Sequence, residues 1–219
     1  MKSVAALLVL ASILSGCVSS RTTSIGADSG HSLQGKSLAL SKRAKQDFSA
    51  ATPAKAAFGL IGALAMISAG NQLVADNAIE DPDGYIGEQL QQALDTQYGL
   101  SPAPAVSAIA DSIDPKKLAA LYPGADFLLD TQTVNWGILY RLNLSRYRVL
   151  YAVKARLIDV HKGQLLAEGF CHRNDDVDPM PPTYDELTAN QAELLKSRLH
   201  TDADACIAEL KQKLLGAQL

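Results

Sequence analysis

Three cysteines, four histidines and 23 carboxylates are the side chains of this 219-residue sequence that can do covalent, metal or proton-transfer chemistry. Their spacing excludes most of it. His31, His161, His172 and His200 include no pair four residues apart on one helix face. His172 stands near Asp175, Asp176 and Asp178, which would supply nitrogen and oxygen ligands. That spacing matches no ligand pattern, and Pro179, Pro181 and Pro182 mark the stretch as a solvated loop. No metal site is expected, and no cofactor. A nucleophile elbow, a phosphate-cradling glycine loop and a zinc signature are all missing from the sequence. The expectation is a non-enzyme, with dispersed catalytic residues as the least favoured alternative.

A second group of residues suits contact rather than catalysis. Between Trp136 and Ile158 lie Arg141, Arg146, Arg148, Lys154 and Arg156 and no acidic residue, with Trp136, Tyr140, Tyr147 and Tyr151 interleaved. Arginine and aromatic side chains favour partner surfaces. In the competing reading the tyrosines fill a core, while Glu168 and the acidic stretch Asp175 to Glu186 neutralise the charges. The expected contact residues are Trp136, Arg141, Arg146, Arg148, Lys154 and Arg156.

Cys17 follows a short basic start, an apolar run from Val4 to Leu14, and the small residues Ser15 and Gly16. Eleven residues of helix reach roughly 16 Å, about half of a bilayer's hydrocarbon core, so the run reads as a removable signal and not a span. Leu14-Ser15-Gly16-Cys17 resembles the lipobox of bacterial lipoproteins, with Cys17 as the lipidated (palmitate-bearing) first mature residue. The alternative is an ordinary secretory signal with a chance cysteine. In lipobox proteins an aspartate after the cysteine retains the protein in the inner membrane. Here that residue is Val18, which implies the periplasmic face of the outer membrane and leaves no role for nucleic acid. In an oxidising periplasm Cys171 and Cys206 are expected to pair, stapling a strand to the last helix; two buried free thiols are the alternative.

The elements that must position these residues follow from pattern. Residues 1–16 are the signal, 17–35 the lipidated cysteine and a Ser/Thr/Gly-rich flexible tether, and 36–219 one periplasmic α+β domain. The formal charge of −3 becomes −4 once Lys2 is removed with the signal, a balance against indiscriminate binding to anionic polymers. Lys36–Leu40 reads as a short strand. Ala56–Gly70 is charge-free and built of small apolar residues; it either packs closely on the body or a partner, or inserts into a membrane or builds an oligomer interface. Asp81-Pro82-Asp83 announces a helix with Asp81 as cap, carrying Ile86, Leu90, Leu94 and Tyr98 on one face and stopping at Gly99. A strand around Ala105–Ile109 and a helix from Asp114 to Leu121 follow. Phe127–Tyr140 and the alternating run from Tyr147 to Ile158 read as strands, with Asp159 to Gly163 as the turn into Leu165–Cys171. Thr183-Tyr184-Asp185-Glu186 is a capping box that opens a long amphipathic helix. The sum is an antiparallel or mixed sheet covered by helices.

Pro123-Gly124-Ala125-Asp126-Phe127-Leu128-Leu129, Trp136-Gly137, Ala155-Arg156-Leu157-Ile158-Asp159 and Gly163-Gln164-Leu165-Leu166-Ala167-Glu168-Gly169 resemble periplasmic lipoproteins related to the curli-secretion lipoprotein. The resemblance spans about 50 residues. It implies an oligomeric accessory or secretion component with protein partners or further copies of itself. The expected function is a lipid-anchored accessory, assembly or partner-binding component of the outer membrane. A small-ligand or cell-wall binding module serving transport is the alternative, and would need an apolar pocket lined by Tyr147 and Tyr151.

Overall fold

In the computed structural model, which describes residues 22–141, 145–174 and 178–216, the chain runs α1 (Ala27–Leu33), β1 (Ser37–Leu40), β2 (Ser49–Ala51), α2 (Pro53–Ala56), α3 (Gly59–Asp76), α4 (Asp83–Tyr98), β3 (Ser101–Pro102), α5 (Pro115–Leu121), β4 (Phe127–Tyr140), β5 (Tyr147–Asp159), β6 (Gln164–Asn174) and α6 (Tyr184–Leu215). These form a mixed α+β layer. The spine is the antiparallel meander β4-β5-β6, and the sheet order is β3-β1-β4-β5-β6. One side of β4 is shared by two short parallel strands. β1 pairs with its start, Leu38 opposite Phe127, and β2 with its end, Ala51 opposite Leu139.

Alternation decides which face of the sheet is buried. Tyr147, Val149, Tyr151, Val153, Ala155 and Leu157 point into the main core, under α4 and α6. In β4 the register shifts between Thr133 and Asn135, and the extra residue, Val134, turns out to solvent. One inserted residue reverses the parity of a strand. Phe127 and Leu129 before the bulge and Trp136 and Ile138 after it therefore face the same core. The other sheet face carries a smaller cluster, in which Leu128 and Ile158 are covered by Leu118, Ala119 and Tyr122 from α5 and its C-terminal end.

Local signals place most helix ends. Asp114 accepts from the Lys116 and Lys117 amides with Pro115 at the first position of α5. Gly99 takes the left-handed conformation that ends α4. The Thr183 and Glu186 capping box opens α6 as expected. That helix is bent, however: Ala189 is extended and Asn190, Gln191 and Ala192 take φ of 51°, 57° and 57°. Left-handed non-glycine residues cost roughly 1 kcal/mol each or more. The fully buried Leu187, Ala192 and Leu195 hold the bend in place.

Three expectations are corrected. Residues 22–35 are not tether: Thr23 and Glu168 exchange backbone hydrogen bonds of 2.9 Å, the Ile25 amide donates to Leu214, and α1 buries Leu33 completely. Polar composition concealed these apolar pegs. No strand forms over Ala105–Ile109; the pairing falls earlier, at Ser101–Pro102, and at an isolated bridge from Arg43 to Ala110. Asp81 is not the residue next to the helix. α4 begins at Asp83, and Asp81 accepts from the Asp83 amide while also binding Thr133.

Candidate functional site

The residues between Trp136 and Ile158 divide between interior and surface, as alternation demands. Trp136 is fully buried. Its indole nitrogen donates to the Gln46 carbonyl at 3.0 Å and its ring meets Phe48 edge-on at 4.9 Å. Arg156 is also interior. It pairs with the completely buried Asp130 at 2.6 Å, and its guanidinium donates to the Ile113 carbonyl and to Gln132. Arg43 binds the same carboxylate at 2.7 Å and reaches the Ala110 and Ser112 carbonyls. Two guanidiniums on one carboxylate thus latch the 110–113 loop to the sheet. The expectation that Trp136 and Arg156 touch a partner is overturned by their burial.

The remaining cations lie nearer solvent. Arg148 and Lys154 project from β5 on the face opposite the main core, where Arg148 donates to Asn174 and Lys154 pairs with Glu168 at 3.5 Å. Paired strands bring Phe170 and exposed His172 to the same face. Among the described residues, α5 covers this face near Ile158 and the 110–113 loop covers it at Arg156, while Leu150, Lys154 and Phe170 beyond them are partly buried and His172 is exposed. Arg141 donates to the Asp178 carbonyl and Arg146 to the Pro181 carbonyl and Glu186, tying the hairpin to the loop before α6. The acidic stretch thus neutralises part of the basic one.

Cys171 and Cys206 form a disulfide joining β6 to α6, with Cα atoms 5.5 Å apart. Cys17, and with it the lipid attachment, lies outside the described residues, as do Asp175 and Asp176. Among the described residues no group of three or more metal-ligating side chains converges, and no helix is long and apolar enough to cross a membrane.

One feature escaped the sequence reading, and a second sharpens it. At the start of α4, Asp81 binds Thr133, whose hydroxyl lies 3.1 Å from that of the buried Tyr151. Burial pushes the Asp81 carboxyl up against these hydrogen bonds. Burial and the neighbouring Asp81 charge raise Asp83 from the usual 3.8 to about 7. Asp81 also lines an open cleft of about 620 Å³ with Glu80, Tyr85, Glu88, Lys196 and His200. A carboxyl raised toward neutrality suits proton transfer; among the described residues no metal-ligand cluster stands beside it. Both residues announce themselves in sequence only as helix-start residues.

The second feature is α3. Gly70 packs against the backbone of Phe48 and Ala50, and Gly62 against the Lys55 carbonyl, approaches that any Cβ would block. The two glycines therefore face inward, while on the N-terminal half of the helix the large side chains face outward: Phe58 is 70% exposed, Leu60 87%, Ile61 77% and Leu64 70%. Of the readings of Ala56–Gly70, close packing through small residues holds at Gly62 and Gly70, while the other side of the helix leaves its large apolar side chains exposed.

None of the protein-family models matches the sequence, and no curated protein matches it. Several solved structures are similar. The lipoprotein GNA1162 from Neisseria meningitidis is 18% identical over 79% of this chain and 98% of its own, with a TM-score of 0.30. A PelC dodecamer from Paraburkholderia phytofirmans is 15% identical over 84% of this chain and 94% of its own, with a TM-score of 0.32. The LpoB C-terminal domain from Salmonella enterica is 17% identical over 64% of this chain and 83% of its own, with a TM-score of 0.22. The neighbours thus include bacterial lipoproteins, at overlaps too low to carry a functional conclusion.

Proposed function

We propose that this chain is a lipid-anchored, non-catalytic protein on the periplasmic face of the outer membrane, where the sheet face beyond α5 receives a protein partner. The lipobox at Cys17 supports the address. The observation that carries the contact is the part of the sheet beyond α5 and the 110–113 loop, where the partly buried cations Arg148 and Lys154 stand next to Leu150, Phe170 and the exposed His172. Such a mixture of apolar, aromatic and cationic groups suits a partner surface. The small-ligand alternative loses its pocket. Tyr151 is fully buried with its hydroxyl against Thr133, and Tyr147 packs edge-on against Tyr184 at 5.6 Å.

The test is in-envelope photocrosslinking from position 150, read by mass spectrometry. A reproducible protein neighbour is expected, and Arg148→Glu with Lys154→Glu should remove it while leaving the circular dichroism spectrum unchanged. Crosslinks that persist in the doubly reversed chain, or no neighbour at all, would count against this face.

A further inference from the structure

We infer that the N-terminal half of α3 is a second membrane contact, a lipid-inserting tip formed by Phe58, Leu60, Ile61 and Leu64. The inference rests on the reading of Cys17 as the lipid-bearing residue. The first argument is composition in place. From Ala56 to Ala75 the chain carries no charge. Four large apolar side chains 70 to 87% exposed within seven residues stand out from the surface instead of lying flush with it. Together they put apolar area on the order of 500 Å² in water, at the upper end of what monomers leave uncovered.

The second argument is direction. β2 ends at Ala51 opposite Leu139, next to the last residue of β4, so α2 and the first turns of α3 lie at the Tyr140 end of the sheet. α3 then runs back until Gly70 meets Phe48 and Ala50. Ten residues of helix separate Gly70 from Leu60, about 15 Å. The N-terminal segment points to that same end. Thr23 pairs antiparallel with Glu168. β6 runs toward Asn174, which lies opposite Leu150 at the Tyr147 end of β5. Thr22, the first described residue, therefore lies on the side of Thr23 that faces the end of the sheet where the α3 tip lies.

The third argument is reach. Six residue steps separate Cys17 from Thr23, at most about 21 Å of chain. Six residues of strand separate Glu168 from Asn174, roughly 20 Å. A lipid on Cys17 can thus reach the level of the Tyr140 end but not pass far beyond it. Three strand spacings between β6 and β2 place α3 about 15 Å to the side. Anchor and apolar tip can thus meet one bilayer plane together, which favours lipid over a second copy or a protein as the occupant.

The test uses the protein purified from its membrane, carrying Leu64→Trp and reconstituted on phosphatidylethanolamine and phosphatidylglycerol vesicles with brominated acyl chains. Quenching of the added indole beyond that of the parent chain, with emission moved to shorter wavelength, is expected. Adding Ile61→Asp should reduce that quenching roughly tenfold. The mass of the same sample reports acylation at Cys17 independently. An acylated chain whose added indole stays unquenched overturns the α3 contact and leaves the anchor standing. Quenching in a chain without acyl groups sinks the anchor and keeps the contact, and failure of both readouts sinks both. An emission shift that follows protein concentration without vesicles assigns the tip to a second copy and also overturns the inference.

Discussion

Arg156 shows how a charge in an alternating strand divides between two roles that look identical in one dimension. Its neighbours Lys154 and Arg148 occupy the same face of β5, yet only Arg156 falls under the 110–113 loop, against Asp130. Removing one member of a buried ion pair leaves the partner's desolvation uncompensated. Arg156→Ala should therefore lower unfolding free energy by about 3 kcal/mol, whereas Lys154→Ala, at a single partly exposed pair, should lower it by about 1 kcal/mol or less. Urea denaturation of the two variants checks this, and equal midpoints would contradict the assignment. Asp130 itself was visible as the lone charge in Phe127-Leu128-Leu129-Asp130-Thr131-Gln132-Thr133. What the sequence withheld was Arg43, 87 residues away, which makes the carboxylate a hub.

Among elements, those carried by local chemistry were legible and those carried by distant pairing were not. The β5 alternation, the Asp159 to Gly163 turn, the Asp114 and Thr183 caps and the Gly99 stop all follow from residues within a few positions of one another. β2, three residues long, exists because Gly137 lets Ser49 approach β4, a relation no local pattern shows. The kink of α6 was hidden for the opposite reason: Thr188 to Ala192 reads as acceptable helix until the burial of Leu187 and Leu195 bends it. The staple between β6 and α6 was foreseeable from the cysteine count and compartment. Its 35-residue separation corresponds to about 3 to 4 kcal/mol on the chain-entropy model. The double variant Cys171→Ala, Cys206→Ala should lose stability of that order in denaturation. Thiol labelling of the unreduced, denatured parent should modify neither position.

For the molecule as a whole, opposing carboxylates set the pH of greatest stability. Asp83, raised from 3.8 to about 7 by burial and the Asp81 charge, binds a proton in the folded chain that the unfolded chain has already released. Stability therefore falls as pH rises through that window, and Asp81, also raised, adds in the same sense. Asp126 acts oppositely. Hydrogen bonds from the Ser37 amide, His161 and the Ser37 hydroxyl lower it to about 2, so its stabilisation is present above 3.8 and lost as pH falls toward 2. The maximum should lie near pH 4, where the two windows meet, and Tm should drop by roughly 5 °C between pH 5 and pH 8. Asp83→Asn should flatten that slope; an unchanged slope would refute the role of Asp83. The sharing of β4 by two short parallel strands carries a consequence for synthesis and export. Both β1 and β2 precede their partner residues by nearly 90 positions, and such pairings form late because a long loop must close first. A chain emerging N-terminus first presents its uncharged helix well before β4 exists to receive β2. The nascent protein is thus an aggregation hazard until β4 has emerged, and a holding chaperone would protect it most during the appearance of residues 56–140.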